Sequence, residues 1–340
     1  MKNKIVELIA ANVEGLTAAE IADLIEIPPK PELGDFAFPC FRLAKTMRKA
    51  PQMIANDIKE AIGDVDFLQE IQVQGAYLNF FVKKNLFIET MVTASMADDF
   101  GSSTEGNGQT ICIDYSSPNV AKNFHVGHLR TTIIGNSLYK IYSKLGYKVV
   151  RINHLGDWGT QFGKLIVAYK AWGSEEAVKK DGVAELMKLY VKFHEEAEKN
   201  PELNDEARAW FAKMEHGDEE ALKIWQWFKD ISLIEYKRTY DLLGMDFDYY
   251  LGESFYRDKT DDVVKRLTDA NLLTESEGAK IVNLDAYDMA PCLILKNDGS
   301  SIYATRDIAA IFYRKETYNF VKCLYVTGQE QKLHFKQVFK

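Results

Sequence analysis

The sequence predicts an α/β protein, a parallel sheet interrupted by a helical insertion and preceded by a smaller α+β domain. Three observations lead there. The chain of 340 residues is about twice the roughly 100 to 200 that one domain takes. Apolar residues make up 46% and charged residues 27%, enough for a real core and too balanced for a disordered chain. From Thr110 onward the order strand, loop, helix, strand is that of a βαβ unit, the building block of a nucleotide-binding sheet.

In the first hundred residues, Ile5, Leu8, Ile9 and Asn12 follow helical spacing, and Thr17-Ala18-Ala19-Glu20 has the form of a capping box opening a second helix. Pro28, Pro29 and Pro31 end it. A further helix is expected from near Pro39 to just before Pro51, where another begins with proline in its first turn. Ile71 to Val73 and Tyr77 to Val82, separated by Gly75, read as a strand pair, and Leu86 to Ala97 returns to helix. Phe100 to Gly108 is rich in small polar residues and is expected to be the linker, with domains at 1–108 and 109–340.

Beyond it, Thr110 to Tyr115 reads as a buried strand, Gly127 to Leu145 as a helix after a long loop, and Lys148 to Asn153 as the next strand. The charged, helical stretch from about 172 to 245 is the insertion, with Lys179, Lys180, Glu185, Lys188, Glu195, Glu196 and Glu198 on solvated faces. Strands resume at Phe247 to Leu251. Asn297-Asp298-Gly299 signals a hairpin between Leu293 to Lys296 and Ser301 to Ala304. Cys323 to Val326 is a last strand, and Gln337 to Lys340 lies in a helix.

Composition narrows the function. Lys plus Arg (42) against Asp plus Glu (50) leaves a net charge of −8, so an anionic partner must be held by local basic surface. Glu7 interrupts the apolar region a signal peptide needs, and no stretch approaches the ~18 apolar residues of a spanning helix. A cytoplasmic protein without membrane contact is expected. Cys40, Cys112, Cys292 and Cys323 never form a Cys-x-x-Cys pair, so neither a disulfide framework nor a metal site is expected.

The segment Ser116 to Arg130 carries the chemistry. It leaves a strand and opens a helix, so backbone N–H groups and the positive end of the helix dipole favour an anion there. His125 and His128 stand three apart, and Gly127 between them removes a side chain that would block a flat base or ribose. Two imidazole donors with Lys122 suit a phosphoryl centre whose oxygens gain charge during displacement. Taken bare, His-x-Gly-His reads first as a helix terminus whose rings cap the backbone or meet solvent, and it is the preceding strand with Asn119 and Lys122 that turns the reading toward a site.

The string Ser-Pro-Asn-x-Ala-Lys-x-x-His-x-Gly-His-Leu-Arg at 117–130 resembles the HIGH signature of class I aminoacyl-tRNA synthetases in its arginyl-tRNA synthetase form. Asn153 to Gly163, the N-terminal Gly34 to Pro39 and the Gly75 to Phe80 element are similar to further segments of that family, so the resemblance spans essentially the whole chain. It implies a Rossmann-like class I catalytic domain behind an additional N-terminal domain that contacts the tRNA elbow.

It also implies ATP-dependent activation of L-arginine and transfer to tRNA(Arg). Magnesium would come with the ATP, no prosthetic group is needed, and a monomer is expected. The catalytic residues would be Lys122, His125 and His128, with Gly127 joining them at ATP. Ser117, Pro118, Asn119 and His128 would face the amino and carboxylate groups of arginine. Tyr303, Asp307, Glu253 and Gln331 would hold its side chain, consistent with a guanidinium's need for a carboxylate offering paired hydrogen bonds.

From Phe36 to Asn56 four bases, Arg42, Lys45, Arg48 and Lys49, stand without an acid, a local charge of +4. They read either as an exposed helix face or as phosphate contacts for tRNA, with Phe36, Phe38 or Phe41 stacking on a base. The family's Lys-Met-Ser-Lys-Ser-like loop and anticodon-binding domain are expected beyond Lys340, so the chain reads as a truncated portion. Where that loop lacks its lysine, Lys122 occupies the substituting position. Two rivals stand beside this reading: another nucleotidyltransferase, disfavoured by Tyr303 and Asp307, and a non-catalytic binding paralogue.

Overall fold

The computed structural model describes residues 1–340, in two compact units, Met1–Gly101 and Ser102–Lys340. The first contains α1 (Lys2–Asn12), α2 (Ala18–Leu24), β1 (Phe36–Pro39), α3 (Leu43–Met47), α4 (Pro51–Ile62), β2 (Leu68–Gln74), β3 (Tyr77–Val82) and α5 (Lys84–Ser95). The strands form an antiparallel sheet in the order β1-β3-β2. Helices α1, α2 and α4 bury Ile5, Ile9, Ile21, Ile54 and Ile58 with Phe38, Leu78 and Phe80 of the sheet. The capping box forms as expected: Thr17 Oγ1 accepts from the Glu20 N–H, and the Glu20 carboxylate accepts from the Thr17 N–H.

The helix expected to begin near Pro39 is displaced. Phe36 to Pro39 is extended, because Phe38 is fully buried and pairs opposite Leu78 on β3. Only Leu43 to Met47 is α-helical before Arg48 turns left-handed at φ 50°. The four bases therefore do not share one helix face. Arg42 lies 3.8 Å from Glu20 and Lys49 is 2.6 Å from Asp57, which leaves Lys45 and Arg48 as the cations without an acidic partner.

The second unit runs β4 (Thr110–Asp114), α6 (Val126–Lys144), β5 (Lys148–Asn153), then α7 (Thr160–Trp172), α8 (Glu175–Asp181), α9 (Val183–Lys199), α10 (Glu202–Glu215) and α11 (Glu219–Leu242). It continues with β6 (Tyr249–Tyr250), α12 (Glu253–Tyr256), α13 (Thr260–Asp269), β7 (Leu273–Ser276), β8 (Ala279–Val282), β9 (Cys292–Leu295), α14 (Tyr303–Tyr318), β10 (Lys322–Tyr325) and α15 (Lys332–Phe339). The main sheet is wholly parallel in the order β10-β4-β5-β6. Strands β7, β8 and β9 form a small antiparallel sheet, of which only β9 was legible as a strand.

Residues 103–108, expected as linker, are tied onto this unit. The N–H groups of Ser103, Gly106 and Gly108 donate to the carbonyls of Lys144, Leu145 and Gly146, satisfying acceptors that α6 leaves open at its end. The expected hairpin shrinks to one bridge between Leu295 and Ser301, because Tyr303 already opens α14.

Central strand β4 is buried on both faces, as parallel strands are. Ile111, Ile113 and Tyr115 pack with Tyr236 and Tyr240 of α11, while Cys112 packs with Val150 and Ile152 on the other face. Period-two alternation thus turns Asp114 toward α14, where Arg314 meets it. No helix is long and apolar enough to cross a membrane.

Helix α6 lies so close to β4 that a Cβ on Gly135 would stand 2.2 Å from Tyr115 Cγ. Gly135→Ala is expected to lower stability by roughly 1 to 3 kcal/mol through overpacking, read from the urea unfolding midpoint. An unchanged midpoint would show that the packing there is loose.

Candidate active site

The loop from β4 to α6 holds three non-glycine residues in the left-handed region, Ser116 (φ 73°), Ser117 (φ 47°) and Ala121 (φ 59°). Such conformations persist only where surroundings over-determine them. Here Ser116 Oγ is 2.7 Å from Tyr240 Oη, the Ser117 N–H donates to Asn153 Oδ1, and Ser117 Oγ donates to Asp114 Oδ1 at 2.8 Å. The Ala121 N–H donates to Ser232 Oγ, and Tyr236 Oη donates to the carbonyls of Asn119 and Lys122. Asn119 also bridges to Gly156, where an added Cβ would lie 2.0 Å from Asn119 Oδ1. Helix α11, part of the insertion, is therefore the clamp on this loop.

At the start of α6 the two histidines cap the backbone. The Gly127 N–H donates to His125 Nδ1 at 3.1 Å, and the His125 N–H approaches His128 Nδ1 at 3.4 Å. Each ring thereby keeps its own proton on Nε2 and offers it as a donor. The rings stack with centroids 3.8 Å apart and planes 18° apart. Burial, and secondarily the neighbouring His125, push the His128 pKa down to about 4, so that ring is neutral at pH 7. Capping and cleft-lining are thus both true of the pair.

One cleft of about 780 Å³ is lined by Ser117, Asn119, His125, Gly127, His128, Glu253, Tyr303, Asp307 and Gln331 among others. The two histidines and the Tyr303–Asp307 pair, far apart in sequence, therefore share a single cavity. Pro118 and Lys122 do not line it; Lys122 is exposed, with Nζ 5.9 Å from the Tyr190 ring centroid. A second cleft of about 820 Å³ shares Asn119, Glu253, Tyr303 and His334 with the first and extends along Trp158, Phe211 and Lys296.

Both carboxylates of this flank have partners within the chain. His334 Nε2 lies 2.5 Å from Asp307 Oδ2, and His154 Nε2 lies 3.7 Å from Asp307 Oδ1. Arg306 donates to Glu253 Oε2 from both Nε (2.9 Å) and Nη2 (2.8 Å), and no contact of Oε1 competes with a ligand. Burial raises the Glu253 pKa against the pull of Arg306. Buried Asp157 fixes the start of α12 beneath it, accepting from the Ser254 N–H and hydroxyl and from Lys229 Nζ.

Sequence reasoning missed Asp114, His154 and His334, all of which line the cleft. A signal existed for two of them: an acid closing an apolar strand, and a histidine just past the next strand, both at carboxyl ends where α/β sheets bind ligands. His334 arrives through tertiary packing of α15 and had no such signal.

The family described as "tRNA synthetases class I (R), catalytic domain" matches residues 91–340, and "Arginyl tRNA synthetase N terminal domain" matches residues 3–82. The chain is 57% identical over 341 aligned residues to an arginine–tRNA ligase of Alkaliphilus metalliredigens and 58% identical to one of Clostridium botulinum, covering 100% of this chain and 60% of each relative. Among solved structures, an arginyl-tRNA synthetase from Plasmodium falciparum matches with TM-score 0.68 and 24% identity, over 99% of this chain and 61% of that one. A Thermus thermophilus arginyl-tRNA synthetase matches with TM-score 0.60 and 22% identity, over 92% and 53%.

The depressed pKa of His128 has a consequence for stability. Between pH 6.5 and about 4 the unfolded chain protonates this ring and the folded chain does not. The unfolded state then binds more protons, so this group's contribution is full above pH 6.5 and is lost as pH falls toward 4. A ring titration by NMR is expected to show a midpoint near 4 for His128. A midpoint at the ordinary histidine value would contradict the burial of the ring.

Proposed function

We propose that this chain, which belongs to the arginyl-tRNA synthetase family, carries the arginine-activating site of an arginine–tRNA ligase. The chain spans 60% of the length of the curated relatives it matches, and the proposal concerns the part of the reaction this cleft serves. One observation carries it: the N-terminus of α6 with His125 and His128, and the half-buried carboxylates of Glu253 and Asp307, line the same cavity, with Asn119 among the lining residues.

In the proposed first step a carboxylate oxygen of arginine attacks the α-phosphorus of ATP, and pyrophosphate leaves to give arginyl-adenylate. His125, His128 and the α6 N-terminus face the phosphoryl oxygens as charge builds, and no water need reorganise to supply those donors. Gly127 leaves room for the nucleoside. Ser117 and Asn119 take the amino and carboxylate groups, on a loop whose course Pro118 helps to fix. Magnesium would arrive with the triphosphate. Lys122 reaches the phosphates only by leaving the Tyr190 ring.

Asp307 receives the substrate guanidinium, exchanging the His334 contact for a charge-assisted pair, with Tyr303, Gln331 and Glu253 Oε1 completing the enclosure. In the second step a ribose hydroxyl of the tRNA 3′ end attacks the activated carbonyl and AMP leaves. Lys45 and Arg48 of the N-terminal unit are the phosphate contacts best placed for tRNA, since Arg42 and Lys49 already have acidic partners.

Calorimetry is expected to show arginine binding well above citrulline, which has the same shape without the charge. Asp307→Asn removes one charged partner and is expected to weaken arginine by about tenfold or more while leaving citrulline nearly unchanged. Equal binding of the two ligands by the unmodified chain would refute the pocket. A non-hydrolysable arginyl-adenylate analogue spans both flanks, and His128→Ala is expected to cost it about tenfold in affinity. Unaltered affinity would leave His128 a capping residue only.

A further inference from the structure

Helix α14 brings a second functional side chain to the cleft from behind. Arg314 follows Asp307 by two helical turns, on the same face, and is fully buried. Its Nη2 donates to Asp114 Oδ2 at 2.7 Å and lies 3.3 Å from His154 Nδ1. The Tyr256 side chain also faces the guanidinium, and the Tyr325 ring lies under it with the centroid at 5.4 Å.

A guanidinium only donates, so His154 Nδ1 must accept and the ring's proton must sit on Nε2. That nitrogen is the one facing Asp307, at 3.7 Å. The imidazole cannot rotate freely, because it stacks on Tyr256 at 5.5 Å with planes 15° apart. On its other side Arg314 holds Asp114, whose second oxygen accepts from Ser117 Oγ at 2.8 Å. One buried cation thus touches, through one intermediary each, the two ends of the amino-acid site.

We propose that Arg314 is a positioning residue for the arginine site: through Asp114 it fixes Ser117, and through His154 it presents an N–H to Asp307. The assignment rests on reading this cleft as the arginine site. Both hydrogen-bond contacts made from its Nη2 go to residues that line the cleft, Asp114 and His154, so the packing of this buried guanidinium is tied to the site rather than to the core alone. Burial by itself would favour loss of its proton, and the adjacent Asp114 carboxylate outweighs that and keeps it charged.

The test joins a ring spectrum to a binding titration. Long-range nitrogen–proton correlation of histidine-labelled protein is expected to show His154 protonated on Nε2 alone at pH 7. A proton on Nδ1 would overturn the proposal. Arg314→Lys keeps the charge and loses the planar fork. With a cooperative melt retained, it is expected to mix the His154 tautomers and to weaken arginine by about tenfold. A folded variant with unaltered ring spectrum and unaltered arginine affinity would overturn the assignment.

Should that variant not fold, His154→Gln carries the affinity arm, with the same expected loss and the same contrary result. Absence of arginine binding by the unmodified chain would refute the reading of the cleft instead. The ring spectra of unmodified and Arg314→Lys protein would still decide the relay.

Discussion

Everything in the second unit turns on where β4 ends. Its neighbours in the sheet are β5 on one side, reached through α6, and β10 on the other, reached only after the insertion and α14. Connections leave in opposite directions at that point, so no single helix covers the end of β4 and a crevice opens there. Asp114 closes the strand at the rim of this crevice, and parallel pairing with β5 and β10 fixes its height. The Arg314–Asp114 pair then locks the strand end to α14. Removing one partner of such a buried pair typically costs about 3 to 5 kcal/mol, because the other charge is left stranded.

The loop that follows is held in conformations that each cost roughly 1 to 3 kcal/mol. Tyr236, Tyr240 and Ser232 of α11 meet that cost with hydrogen bonds to its backbone and to Ser116. The insertion, whose outer faces are charged and solvated, thus has an inner face that shapes the site. Phe124, near the end of the loop, packs against Tyr236 and Tyr240 and carries the same constraint toward His128. Backbone geometry, the histidine caps and the neutral state of His128 are therefore consequences of one packing arrangement.

Much of this was legible in the sequence, for local reasons. The βαβ rhythm placed β4, α6 and β5 to within a residue or two, and Thr17 with Glu20 announced its own cap. His125, His128, Asn119, Tyr303 and Asp307 were found by motif, and the structure brings them to one cavity. What stayed hidden depends on distant partners. Phe36 to Pro39 is a strand because β3 pairs with it, and residues 103–108 join the second unit because α6 needs donors at its end. The partners of Glu253 and Asp307, and the burial of Arg314 beneath the site, exist only once α14, α15 and the sheet have packed.

Crystals grown with L-arginine and a non-hydrolysable ATP analogue examine this view most directly. Expected is arginine density between Tyr303 and Asp307, its carboxylate near Asn119, and the α-phosphate at the first turn of α6 beside His125 and His128. Arginine bound elsewhere on the molecule, or a nucleotide seated away from that helix turn, would contradict a shared cleft at the end of β4.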